Sequence, residues 1–437
     1  MHHRLPAVAL LAALTLVANE AAAQTDLSNG TALRIRSNGA AEKHKIIARF
    51  LNVPLLAIPD CSMPASVRVA TSSGDSLELE LDCGNWQTLH FGKYRYKAAS
   101  AAALTVRRIT YGDGKLLIKI RGENAALLSG SETFAEVRFS VNADRTKYCG
   151  RFAALTTNTT KKLSSRGPTS VCTAFEAERA FWDTINMIDG REAEAVALFD
   201  QAVVEIPTDG RAWFLKGMFH MYRQIQTLDW DNPSQFVLDE VDLAEAALDA
   251  AVPLLPADVR IPGFLGAATY VGGITHNDPV RTQLALDRMR DAIVLWPLFN
   301  VFNFVGTVGI YVDNTDPLFT ESIDYMDQAL ASGCSPFTEA EICGNLGRAP
   351  RNIEGSFMLF GDLYAKAGDA PAAADAYNLA VTFADLNPNP YLWRAELDDR
   401  VANLATRIAL YQDADPLNDP LIIGEGNHEN CLFCHGQ

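Results

Sequence analysis

The residues best equipped for chemistry stand together as His428-Glu429-Asn430-Cys431-Leu432-Phe433-Cys434-His435. Two residues separate Cys431 from Cys434, and His435 follows the second cysteine directly. Thiolates serve as nucleophiles and soft metal ligands, and imidazole binds transition metals through a ring nitrogen. Three uses compete with covalent attachment of a group: a disulfide, a zinc site and a dithiol redox pair. Zinc wants more ligands than the motif offers, and only His428 is close. A redox pair needs the motif at a helix start inside a strand–helix–strand unit. Here it follows Pro416, Pro420, Gly424 and Gly426, a segment poorly suited to helix.

This C-x-x-C-H spacing, read here as CLFCH, resembles the haem-attachment site of c-type cytochromes. The resemblance implies one covalent haem c per chain. The thiols of Cys431 and Cys434 would add across the two porphyrin vinyl groups, with His435 as the proximal iron ligand. Only the motif carries over. Two residues follow His435, whereas small soluble cytochromes c supply a methionine well downstream of the motif. The Pro- and Gly-containing stretch Asp415 to Asn430 also lacks the long helix that carries the motif in c-prime bundles. Candidates for the sixth iron position are His428, serving this haem or a neighbouring one, His220, Met218, Met221, or a residue of another chain.

No catalytic residue is assigned. The sequence lacks a phosphate-binding glycine loop, a G-x-S-x-G elbow and an H-E-x-x-H pair. Asp229, Asp231 and Asn232 resemble the start of a calcium loop without its glycine or spaced glutamate, and Asp413 with Asp415 fails in the same way.

The elements that must carry this tail are legible in the remaining chain. Its 437 residues are 48% hydrophobic and 21% charged, enough for two or three domains with real cores. A net charge of -16 weighs against nucleic acid as a partner. Residues 1–23 read as a signal peptide: His2, His3 and Arg4, an apolar run, then Ala21-Ala22-Ala23 before Gln24. No lipidation cysteine follows, so the expectation is a periplasmic or extracellular protein. The apolar stretch Ala292 to Val312 contains Pro297, Asn300 and Asn303, which argues against a membrane span.

Of eight cysteines, two belong to the motif and six remain for three disulfides. Cys61, Cys83, Cys149 and Cys172 allow three pairings, of which 61 with 83 and 149 with 172 are the most local. Cys334 and Cys343 close a short loop around Pro336.

Residues 24–155 read as an all-β sandwich. Leu33 to Arg36, Ser66 to Val69, Leu77 to Leu81 and Val137 to Val141 alternate apolar with polar residues. Gly112-Asp113-Gly114 predicts a hairpin between Thr105–Thr110 and Leu116–Ile120. Residues 156–172, rich in Thr, Ser and Lys, read as a linker, 173–412 as amphipathic helices, and 413–437 as the haem-binding tail.

The helical part repeats itself. Ala195, Ala202 and Pro207 share a spacing of seven and five with Ala244, Ala251 and Pro256, and with Ala285, Ala292 and Pro297. Gly217 and Gly266 lie ten residues after their prolines, and Gly306 nine after Pro297. A further unit holds Phe357, Gly361, Tyr364, Gly368, Ala373, Tyr377, Ala380 and Pro388, and a degenerate one uses Ser322, Ala329 and Pro336. From Phe175 to Gln412 the pattern resembles tetratricopeptide repeats, although the proline intervals exceed that family's period. The resemblance implies an α-solenoid with a concave face for a peptide or protein. His220 stands where those repeats prefer tyrosine.

Taken together, these readings imply a multidomain secreted protein in which a β-sandwich precedes a solenoid and a haem-bearing tail. Electron transfer to a redox partner or to another copy, in a homo-oligomer or filament, is the leading expectation. A binding scaffold with a structural or docking haem, and a haem peroxidase or sensor, are its rivals.

Overall fold

A computed structural model describes residues 23–26, 30–36, 44–53, 65–74, 76–89, 93–98, 105–122, 128–141, 146–167, 169–185, 190–227, 229, 232–331, 352–386, 391–413 and 418–422. Among them, thirteen strands are followed by twelve α-helices. The two compact units comprise residues 20–180 with 193–212, and 181–192 with 213–437. Apart from Ala23, the expected leader lies outside the described residues.

The first unit contains two sheets. One has five strands: β1 (Ala23–Asp26), β4 (Ala65–Thr71), β5 (Ser76–Leu81), β10 (Ala135–Val141) and β11 (Thr146–Phe152), in the order β1-β11-β10-β4-β5. The other has eight: β2 (Gly30–Arg36), β3 (His44–Leu51), β6 (Trp86–Leu89), β7 (Lys93–Tyr96), β8 (Thr105–Gly112), β9 (Lys115–Gly122), β12 (Leu155–Thr159) and β13 (Lys162–Ser165). Their order is β12-β13-β2-β3-β9-β8-β7-β6.

Alternation sends Leu33, Ile35, Ile46, Ala48, Ile118 and Ile120 from the larger sheet into one apolar core with Val67, Val69, Val137 and Phe139 from the smaller. Phe50 meets Phe152 across this core with ring centroids 5.5 Å apart, and Trp86 meets Phe139 at 6.2 Å. The expected hairpin forms as a two-residue turn, Asp113-Gly114, with both residues at positive φ and Gly112 paired with Lys115.

The segment read as a linker is different. Residues 155–165 form a hairpin that continues the eight-stranded sheet, with β13 pairing β2. Composition misleads here because Thr and Ser suit solvent-facing strand positions as well as loops, and one buried apolar anchor, Leu163, fixes the strand. Cys149 and Cys172 form the disulfide expected from their proximity. Cys83 is also disulfide-bonded, whereas Cys61 lies outside the described residues.

The helices are α1 (Thr173–Ile185), α2 (Glu192–Glu205), α3 (Gly210–Ile225), α4 (Gln235–Ala251), α5 (Ile261–Thr275), α6 (Pro279–Leu295), α7 (Pro297–Phe304), α8 (Pro317–Ala331), α9 (Asn352–Lys366), α10 (Ala370–Leu386), α11 (Arg394–Ala402) and α12 (Leu404–Tyr411). The first unit takes in α2 and the start of α3, so the change from strand to helix at 173 is not the unit boundary. Charge explains this. Arg68 and Arg138 grip the fully buried Asp209 at 2.5 and 2.7 Å, and Arg151 binds both Glu136 and Glu205. Ile206 packs with Ala70 and Phe134 beside them.

Helix starts follow local chemistry. Asp278 Oδ1 accepts from the N–H groups of Val280 and Arg281 with Pro279 in the first turn, and Ser234 Oγ accepts from Val237 N–H. The repeated small residues lie at helix contacts: Ala195, Ala244, Ala251, Ala285, Ala292, Ala373 and Ala380 are fully buried. A Cβ on Gly217 would stand 2.6 Å from Leu248 and 3.1 Å from the Ala244 carbonyl, so α3 and α4 approach through that gap. Gly266 admits Met289 and Ala285 in the same way, and Gly361 admits the Tyr377 ring.

Gly306 does not. Nothing lies within 4 Å of its Cβ position, and Gly309 faces Ser322 instead. A π-helical stretch, Val305–Gly309, continues α7 and shifts the face that meets α8. The apolar stretch around it is broken at Pro297, and no helix among the described residues is long and apolar enough to cross a membrane.

Candidate functional site

Cys431, Cys434, His435 and His428 lie outside the described residues, as do Cys334, Cys343 and Pro336. What the structure gives is the base of the tail and the surroundings of the other candidate ligands.

The tail leaves the second unit over a buried charged cluster. Asp362 of α9, with no exposed surface, accepts from Arg400 Nε at 2.9 and 3.1 Å, from Arg407 Nη2 at 3.1 Å and from the Tyr377 hydroxyl at 2.6 Å. One carboxylate therefore faces two guanidinium groups, which leaves donors to spare. Those donors reach the tail: Arg407 Nη2 donates to the Leu421 carbonyl at 3.0 Å and Arg400 Nη2 to the same oxygen at 3.4 Å. Tyr411 adds a bond to the Pro420 carbonyl at 2.6 Å, and Ile422 is buried. Burial, then the charge of Asp362 and the hydrogen bond to it, push the Tyr377 phenol far above its ordinary range, so it stays a donor.

Neighbouring contacts lock the cluster in place. Lys366 Nζ donates to the Val312 carbonyl at 2.8 Å, Gln412 Nε2 to the Lys366 carbonyl at 2.8 Å, and Asn314 Nδ2 to the Tyr411 carbonyl at 3.1 Å. Cys431 follows Ile422 by nine positions, so chain geometry keeps the motif within about 32 Å of this fixed point.

Of the helical candidates for the sixth iron position, His220 has a partner already. His220 on α3 is buried, and its Nδ1 lies 2.7 Å from Glu240 Oε2 of α4. Glu240 also accepts from Arg223, which reaches Glu192 at 2.8 Å. The position at which the resemblance to repeats implies a tyrosine thus belongs to a buried charged network of Glu240 and Arg223. Met221 is buried beside it and Met218 half-buried. His276 ends α5, as its turn-like context suggests, with Nε2 3.2 Å from Asp242. His44 begins β3, and His90 lies outside the described residues.

Among the described residues one group has the donors for a metal, Glu136 with Cys149 and Cys172, and its two sulfurs are spent in the disulfide. Asp229 caps the Asn232 N–H, as a turn residue does, while Asp413 takes a hydrogen bond from Asn418. Sequence reasoning missed Asp362, Arg400 and Arg407 because they are far apart in the chain and share no period. Only Tyr377 had been marked, for its place in the repeat. No protein family, curated protein or solved structure matches this chain.

Proposed function

We propose that this protein is a secreted, periplasmic or extracellular monohaem c-type cytochrome that transfers electrons. The observation that carries the reading is the Cys431-x-x-Cys434-His435 spacing. The donor set suits the group: two thiols to tether it and one imidazole to ligate iron. Bound there, haem c would supply one-electron exchange at its iron. The chain's own contribution is positional. Arg400, Arg407 and Tyr411 hold the carbonyls of Pro420 and Leu421, so the tail starts from a rigid point.

The helical unit is read as a tetratricopeptide-like solenoid that docks a redox partner or another copy of the chain. The support is the recurrence of one contact, a glycine facing the helix that bears the paired small residues, in α3 with α4 and α5 with α6. A sixth iron ligand from His220 is disfavoured by its Glu240 partner. That leaves His428, the methionines or another chain.

A redox titration of the mature protein, followed by its visible spectrum, tests the reading. Reversible one-electron reduction with sharp low-spin bands, and no reaction with carbon monoxide or peroxide, is the expected result. An open sixth position that binds carbon monoxide and turns over peroxide would move the protein to the peroxidase or sensor class.

A further inference from the structure

The eight-stranded sheet carries a charge pattern at odds with the chain as a whole. Its strands contain twelve Lys and Arg residues and no Asp or Glu. The five-stranded sheet mixes both signs, and the whole chain is -16.

Register concentrates the cations. Lys162, Arg36, Lys45 and Arg121 are Cα partners in one unbroken row over four strands. The adjacent row, two residues along, reads Ser164, Arg34, Ile47, Lys119 and Arg108. At about 4.8 Å between strands, the first row sets four cations within about 14 Å. Like charges directly opposite one another destabilise a sheet, so this row works against folding. The strain registers at Lys45, whose ammonium is held below the usual lysine range, first by burial and then by Arg121, Lys119, Arg36 and Arg34. Among the described residues no carboxylate pairs with the four cations of that row. Its members and their neighbours alternate with the buried core positions and face solvent or lie half-exposed.

Beside the rows is a cleft of about 310 Å³, lined by Arg34, Arg49, Lys162, Arg166, Thr156 and Ser164 among others. Cations there share the wall with hydroxyl groups, which suits a ligand bearing both anionic and hydroxyl groups.

We infer that the outer face of the eight-stranded sheet, with this cleft, binds an acidic polysaccharide, its carboxylates or sulfates on the cation rows and its hydroxyls on the cleft. Charge complementarity favours a polyanion, and the side chains narrow the class. The two rows and the cleft present no aromatic ring on which bases would stack, which disfavours single-stranded nucleic acid. Ile47 and Leu117 are half-buried in the face, and among the described residues of these strands Leu51 is the one exposed large apolar side chain, so the face offers little apolar area to enter a lipid layer. The inference owes nothing to the haem reading and stands or falls separately.

The test uses the full-length mature protein and a charge-reversed variant, Arg36→Glu with Lys45→Glu and Arg121→Glu. Heparin and polygalacturonate are the probes, titrated at low and physiological salt. The expected result is binding to at least one polymer despite the chain's net negative charge. It weakens steeply with salt and falls at least ten-fold in the variant, while Arg394→Glu in the helical unit leaves it unchanged. Because the triple reversal sets three carboxylates opposite one another, the neutral variant Arg36→Gln/Lys45→Gln/Arg121→Gln is measured beside it. With the cation repulsion removed and none put in its place, it is expected to be at least as stable as the parent and to lose binding as well, so that loss would not be a loss of fold. Absence of binding to both polymers, or binding that the triple reversal does not weaken, would overturn the inference. So would binding confined to duplex DNA or phosphatidylglycerol vesicles, or salt-sensitive self-association without polymer binding.

Discussion

At the residue scale, the cluster around Asp362 holds the helical unit's end together, and its chemistry fixes how it should fail. Removing the carboxylate strands two buried guanidinium groups, because Arg400 and Arg407 are both nearly inaccessible. Asp362→Asn is therefore expected to cost about 3–5 kcal/mol of stability, measured by denaturant unfolding. It should also expose the chain near Leu421 to limited proteolysis before the rest unfolds. Tyr377→Phe loses one hydrogen bond to a charged acceptor and should cost about 1.5–3 kcal/mol. His220 offers a contrast. With Nδ1 on Glu240, its replacement by Gln should lower stability yet leave any haem spectrum untouched. A changed spectrum in that variant would make His220 an iron ligand after all.

At the element scale, packing separates glycines that the sequence treats alike. Gly217→Ala should destabilise the helical unit, since the added methyl meets Leu248 and the Ala244 carbonyl. Gly306→Ala should be neutral or stabilising by up to about 1 kcal/mol, because the methyl enters open space inside a helix. Thermal unfolding of the two variants checks both signs. The comparison shows what was legible. The Ala and Gly spacing marked helix contacts because buried close approach repeats along the chain. It failed at Gly306 because the π-helical stretch changes the phase without leaving a mark in the spacing. The strands of the first unit were readable wherever one face is apolar, as in β2 and β10. The β12–β13 hairpin was hidden because its exposed face is Thr, Ser and Lys. The haem reading rests on three tail residues that lie outside the described ones, and the anchor at the tail's base left no mark in the sequence: Asp362, Arg400 and Arg407 meet only through the fold.

At the scale of the whole molecule, charge organises both units. In the first, burial raises the Asp209 carboxyl, but Arg138 and Arg68 more than reverse this and hold it far below its usual range. A depressed carboxyl contributes stability that is present above its unfolded value, near pH 4, and is lost as pH falls below it. Glu205, held down by its hydrogen bonds to Arg151, Thr173 and Gln201 against the opposing effect of burial, acts with the same sign. The protein should therefore lose stability steeply on acidification below about pH 4. Asp209→Asn should begin less stable at neutral pH and show a flatter dependence there. Unfolding midpoints measured from pH 2 to 7 distinguish the two curves.

The central claim is that the tail carries haem, and one measurement meets it most directly. The mature protein, produced in a host with the haem-attachment machinery, would be assayed by pyridine haemochrome after acid–acetone extraction, beside a Cys431→Ala/Cys434→Ala variant. The account predicts one unextractable c-type haem per chain, absent from the variant. A haem-free protein, or haem retained by the variant, would contradict it.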